Sequence, residues 1–200
     1  MSSADRAGVA VSGLLIVSDI YGFPHDRRDL GSLARRPTVH HRLADLSGQP
    51  DLSGEALHAH LFKGDGIGIA ARALARAGHA GLCGVGFSAG GTALWQAIAG
   101  GLRLRALVCV SSTRLRREAA PLAIPTFILW GEADPHRPDQ EWNRYVPLEA
   151  KIYAGQHHDF YRSALTDGTS PLSEDIERFL SRFETTPALQ DAERRKGFSA

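Results

Sequence analysis

Ser88, Asp134 and the adjacent pair His157 and His158 are the residues of this chain whose types and order could carry covalent acyl chemistry. A serine hydroxyl is too weak an acid to attack a carbonyl unaided, so a neutral imidazole must take its proton as the acyl bond forms. An ionised carboxylate must in turn hold that imidazole in the right tautomer and stabilise the imidazolium. Ser88 is the candidate nucleophile and one of the two histidines the candidate base. Two acids stand in one turn, Glu132 and Asp134, of which Asp134 is the better placed.

The surrounding segments supply what such a group needs. Gly81-Leu-Cys-Gly-Val85 reads as a buried strand and Thr92-Ala-Leu-Trp-Gln-Ala-Ile98 as a helix, with Gly86-Phe-Ser-Ala-Gly-Gly91 between them. Strand, sharp turn and helix are the context of a nucleophile elbow, where small residues two before and two after the serine let the elements approach. Gly86 and Gly90 provide that clearance. A second apolar run, Ile124–Trp130, ends in Gly131-Glu-Ala-Asp-Pro135, and a third, Glu149–Tyr153, leads into Ala154-Gly-Gln-His-His-Asp-Phe160. Each candidate therefore lies just past the carboxyl end of a strand, where open α/β sheets bind ligands. The strand run Arg105–Val110 is followed by Ser111-Ser-Thr-Arg114 at the same edge, where Arg114 either steers an anionic ligand or belongs to a loop capped by hydroxyls.

Helical stripes alternate with these strands. Ile67, Ala70, Ala71, Leu74 and Ala77 share one face, with Gly78 as the stop, and Leu172, Ile176, Phe179, Leu180 and Phe183 form another behind Ser170 as N-cap and Pro171 in the first turn. Both read as core faces on a parallel sheet. Gly64-x-Gly-x-Gly68 follows no strand and lacks the spacing of a phosphate loop, so it reads as the start of a helix.

Together the elbow, Asp19-Ile-Tyr-Gly22, Ala44-Asp-Leu46, Trp130-Gly-Glu-Ala-Asp134 and Tyr153–Phe160 resemble the dienelactone hydrolases, a compact branch of the α/β-hydrolase superfamily, over residues 14–183. The resemblance implies an α/β single-domain hydrolase fold, with a mostly parallel sheet flanked by helices and no separate cap domain. Its histidine motif selects His158 over His157. It also implies an oxyanion hole formed by the backbone N–H groups of Ile20 and Ala89. Arg162 matches a substrate-binding arginine and either pairs with a substrate carboxylate or sits on the surface; Asp19 stands where a glutamate is usual and is either its shorter replacement or a turn residue. Loops around Tyr21 to Arg28, Arg114 and His136 are expected to wall the pocket, and Asp19, Tyr21, Arg114 and Arg162 are the substrate-binding candidates.

The sequence also departs from that family. The enzymes that name it carry cysteine as nucleophile, whereas this chain has Ser88, so dienelactone hydrolysis itself is not expected. The expected activity is hydrolysis of an ester or thioester of a small molecule through an acyl-enzyme. The alternatives are a non-catalytic small-molecule binder on the same scaffold and acyl transfer to an acceptor other than water.

Composition fits this reading. Two hundred residues suit one domain, expected over 1–183, with a polar tail at 184–200. A net charge of +1 gives no electrostatic reason for nucleic-acid or membrane partners. No apolar run approaches a membrane span, and Met1-Ser-Ser-Ala-Asp-Arg6 lacks the features of a signal peptide, so a cytoplasmic location is expected. Cys83 and Cys109 read as small buried hydrophobes. His40-His41 and His58-x-His60 lack partners at zinc spacing, so no metal or other cofactor is expected.

Overall fold

A computed structural model of the chain describes residues 13–23, 33, 36–164 and 170–183; the expected tail and the stretch from 24 to 28 lie outside them. Six strands form one sheet: β1 (Leu14–Val17), β2 (Thr38–His41), β3 (Cys83–Phe87), β4 (Leu107–Val110), β5 (Thr126–Gly131) and β6 (Glu149–Tyr153). Their spatial order is β2-β1-β3-β4-β5-β6 and every pairing is parallel. The helices are α1 (Leu43–Leu46), α2 (Gly54–Lys63), α3 (Gly66–Arg76), α4 (Ala89–Ala99), α5 (Gln140–Tyr145), α6 (Tyr161–Ala164) and α7 (Pro171–Leu180).

The period-2 alternation of the strands divides the core into two layers. Leu15, Val17, Cys109, Ile128 and Trp130 face a layer built with α1 to α4, whose inward side chains include Leu57, Leu74, Leu94 and Trp95. Leu14, Ile16, Val85, Phe87, Val108 and Leu129 face the opposite layer, where α7 packs Leu172, Ile176, Phe179 and Leu180. β1, β3 and β4 are buried along their whole length, which explains their near-continuous apolar sequences.

Both helical stripes appear as core faces, with one change at a helix end. Ala70, Ala71 and Leu74 are buried, whereas Ala77 is the C-cap of α3 and exposed, and Gly78 follows at φ +74°. Ser170 caps α7 by accepting the Ser173 N–H at 3.2 Å, and Pro171 occupies the first turn. β2 carries no apolar run to announce it: Thr38-Val-His-His is a half-exposed edge strand held by pairing with β1.

Cys83 and Cys109 are buried and form no disulfide, and burial pushes the Cys109 thiol up to about 12. Among the described residues no group of three or more histidines, cysteines and carboxylates is arranged to hold a metal ion, and no helix is long and apolar enough to cross a membrane.

Candidate active site

The turn between β3 and α4 forces Ser88 to φ 49° and ψ −123°, a conformation that side-chain-bearing residues rarely adopt. Holding it costs on the order of 1–3 kcal/mol, which the packed strand and helix must supply. The neighbouring glycines allow that packing. A Cβ on Gly86 would overlap the backbone of Gly91, and one on Gly90 would overlap the carbonyl oxygens of Val17 and Ser18. The elbow is thereby pressed against the end of β1, and the Ser88 N–H is fixed by donation to the Val110 carbonyl at 2.8 Å.

The acid and histidine loops are joined to each other before either meets the serine. Glu132 N–H donates to the Tyr153 carbonyl and Ala133 N–H to the Gln156 carbonyl, both at 2.9 Å. Gly131 lets them close, because a Cβ there would strike the carbonyls of Gln156 and His157. Asp134 then lies with its carboxylate buried, Oδ1 accepting the His136 N–H at 2.8 Å and Oδ2 facing His158 Nδ1 at 2.8 Å. Burial pushes this carboxyl up, but the bonds from His158 and the His136 N–H outweigh it, so Asp134 titrates below the ordinary aspartate range.

An ionised carboxylate can only accept, so Nδ1 carries the His158 proton and Nε2 is the free base nitrogen. His158 Nε2 lies 3.0 Å from Ser88 Oγ. Glu132 is used elsewhere: its Oε2 accepts the Gly155 N–H at 2.8 Å on the exposed side of the turn. His157 is exposed.

Ile20 lies in the loop after β1, and Ala89 is the first residue of α4, directly after Ser88. Among the described residues neither backbone N–H meets an acceptor, whereas Tyr21 and Gly22 spend theirs on the Asp19 side chain and carbonyl. A strained serine with a histidine on its hydroxyl and a buried carboxylate behind that histidine forms an arrangement suited to acyl transfer chemistry.

No family model matches the chain, and no curated protein matches it in sequence. Solved structures do match its shape. The predicted CIB-like hydrolase of Thermoplasma acidophilum superposes with a TM-score of 0.61 at 16% identity, covering 90% of this chain and 88% of that one. A Klebsiella pneumoniae protein assigned to the dienelactone hydrolases gives 0.55 at 18% identity, covering 90% and 89%. Est1E from Butyrivibrio proteoclasticus, solved with ferulic acid bound, gives 0.57 at 15% identity, covering 88% and 91%. The chain has the α/β-hydrolase fold.

On this α/β-hydrolase scaffold the remaining candidates divide into buried and rim positions. Asp19 is only 3% exposed, and its Oδ2 accepts from Tyr161 Oη at 2.8 Å and from Arg162 Nε and Nη2 at 2.9 and 2.5 Å. Asp19 is thus more than a turn residue, and Arg162 directs two nitrogens to it within the fold. Burial works against the Arg162 cation, but Asp19 outweighs it and strengthens its hold on the proton; burial and Asp19 together push the Tyr161 hydroxyl up, so it stays a donor. Tyr21 lies 63% exposed, its ring beneath the Arg162 guanidinium at 4.9 Å. Arg114 sits in the left-handed region at φ 72°, with its guanidinium 4.1 Å above the Phe62 ring.

Two neighbours of the catalytic candidates carry no motif of their own. Thr113 Oγ1 lies 3.0 Å from Ser88 Oγ. His136 stands edge-on to His158, ring centroids 5.5 Å apart, and burial lowers its pKa. The polar run Ser111–Arg114 was the available signal for Thr113, but Ser111, Ser112 and Thr113 are all buried and no spacing distinguishes which of their hydroxyls meets Ser88.

Proposed function

We propose that this protein is a serine hydrolase that cleaves an ester or thioester of a small substrate through an acyl-enzyme on Ser88. The unbroken hydrogen-bond chain from Ser88 Oγ through His158 to Asp134, at 3.0 and 2.8 Å, carries the reading. Hydrolase names among the structural neighbours are consistent with it.

As Ser88 Oγ bonds to the carbonyl carbon, its proton passes to His158 Nε2, and Asp134 stabilises the imidazolium through Nδ1. The carbonyl oxygen, now an alkoxide, is met by the N–H groups of Ile20 and Ala89, which meet no competing acceptor among the described residues. His158 returns the proton to the departing alcohol or thiol. Water then attacks the acyl-serine, gives its proton to His158, and collapse of the second tetrahedral species restores Ser88 and releases the acid. Tyr21, Arg114 and His136 are the rim side chains proposed to meet substrate, while Asp19 and Arg162 act by holding the Ile20 loop. Two buried cysteines that form no disulfide suit a reducing compartment, and a cytoplasmic site of action is part of the proposal.

A panel of short-chain 4-nitrophenyl esters and acyl thioesters tests this. Wild-type protein is expected to turn over members of the panel, with Ser88→Ala and His158→Ala each lowering kcat by roughly 10³-fold or more. Ligand binding that survives both substitutions without any wild-type turnover would overturn it.

A further inference from the structure

Among the described residues only three that are not glycine have positive φ: Ser88 at 49°, Ser111 at 46° and Arg114 at 72°. All three lie at one place. Ser88 is the elbow, and the other two bracket Ser112 and Thr113 in the loop leaving β4, so backbone strain is concentrated on the nucleophile and on the segment that faces it. That loop is fixed through its main chain, Ser111 N–H donating to the Leu129 carbonyl at 2.8 Å and Thr92 Oγ1 donating to the Thr113 carbonyl. None of these contacts uses the Thr113 hydroxyl. Thr113 is buried, and its hydroxyl is directed at Ser88 Oγ.

We infer that Thr113 is a positioning residue for the nucleophile, its hydroxyl holding Ser88 Oγ in the attacking rotamer as a second hydrogen-bond partner beside His158. The proton assignment follows from the site. Neutral His158 accepts at Nε2, so the single proton of Ser88 goes to it, and Thr113 must be the donor to Ser88 Oγ. When His158 is protonated the order reverses: Nε2–H donates to Ser88 Oγ, and Ser88 donates to Thr113 Oγ1. A hydroxyl serves both arrangements because it both donates and accepts, and no proton is gained or lost by the pair. On acylation the serine oxygen becomes an ester oxygen and accepts weakly, so the bond acts on the free enzyme and its approach to the substrate rather than on substrate binding.

This inference rests on the serine hydrolase reading, and its test separates the two. Thr113→Val keeps the shape of the side chain without the hydroxyl; Thr113→Ser keeps the hydroxyl without the methyl. With 4-nitrophenyl acetate, Thr113→Val is expected to lower kcat/KM and the pre-steady-state rate of acylation about tenfold, and Thr113→Ser to stay within about threefold of wild type in both. The rate of inactivation by a fluorophosphonate should fall in parallel for the valine variant. Should that variant fail to fold by circular dichroism, Thr113→Ala replaces it with the same expectation. Valine or alanine activity equal to wild type, or a serine variant as impaired as valine, would overturn the positioning role while leaving the hydrolase intact. An inert wild type would instead sink the hydrolase reading, and this role with it.

Discussion

Asp19 Oδ2 receives both Arg162 Nε and Arg162 Nη2, so one buried oxygen ties the loop after β1 to the helix that follows the His158 loop. The oxygen on the other side of that carboxylate accepts the Tyr21 N–H at 2.8 Å. Ile20, between the two anchored residues, is therefore held from both sides, and the proposed oxyanion donor and the proposed base share a common brace.

Breaking that brace should be costly from the arginine side. Arg162→Ala leaves the Asp19 charge buried with only Tyr161 and the Tyr21 N–H as donors, and a partly buried pair broken this way is expected to lose about 2–3 kcal/mol. Asp19→Asn retains an acceptor and removes the charge, so it should cost less. Urea unfolding of the two variants checks the order, and equal stability of Arg162→Ala and wild type would contradict it.

The acid turn gives a second contrast. Asp134→Asn keeps the shape but removes the carboxylate that fixes the His158 tautomer, and kcat is expected to fall by about 10³–10⁴. Glu132→Ala loses a bond to the Gly155 N–H at the exposed face and should leave kcat within about threefold. Steady-state ester hydrolysis by both variants measures this, and the reverse order would move the acid role to Glu132.

Much of this arrangement was legible in the chain, for identifiable reasons. The strands β3, β4 and β5 are buried along their length, so their apolar runs stand out, and each ends in a residue type with chemical meaning. β2 was not legible, because an edge strand of threonine and histidines is specified by its pairing to β1 rather than by its own pattern. Thr113 was not legible either: its position depends on left-handed turns at Ser111 and Arg114, and nothing in those residue types requires a positive φ. The resemblance to the dienelactone hydrolases suggested Asp19 and Arg162 as substrate-binding candidates, whereas their mutual bond appears only when the loops meet in space.

The elbow should tolerate no added side chain at Gly90. A Cβ there meets main-chain oxygens of Val17 and Ser18, which cannot rotate away as a side chain could. Gly90→Ala is expected to destabilise by about 3 kcal/mol or more and to abolish ester hydrolysis. Thermal melting checks the first, and an alanine variant as stable and active as wild type would show that the contact of α4 with β1 is looser than described.

Acid sensitivity has a source away from the active site. His41 Nε2 and His79 Nε2 lie 2.9 Å apart, an arrangement that accommodates one proton between them but not two. Burial lowers both pKa values, opposed at His41 by Asp45 and reinforced at His79 by His41. Between the unfolded value near pH 6.5 and the lower native values, the unfolded chain binds more protons, so the contribution is complete above about pH 6.5 and is lost as pH falls through the native values. Melting temperatures measured from pH 7.5 to 5 should fall on acidification, and fall less in His79→Gln. An identical pH dependence in the variant would remove this pair as the cause.

The most direct test of the central claim is covalent labelling by a fluorophosphonate at neutral pH, followed by mass spectrometry of the proteolysed protein. The account predicts one adduct, on the peptide containing Ser88, absent in Ser88→Ala and slowed by roughly 10³-fold or more in His158→Ala. Folded wild-type protein that forms no adduct, or that labels on a residue other than Ser88, would contradict it.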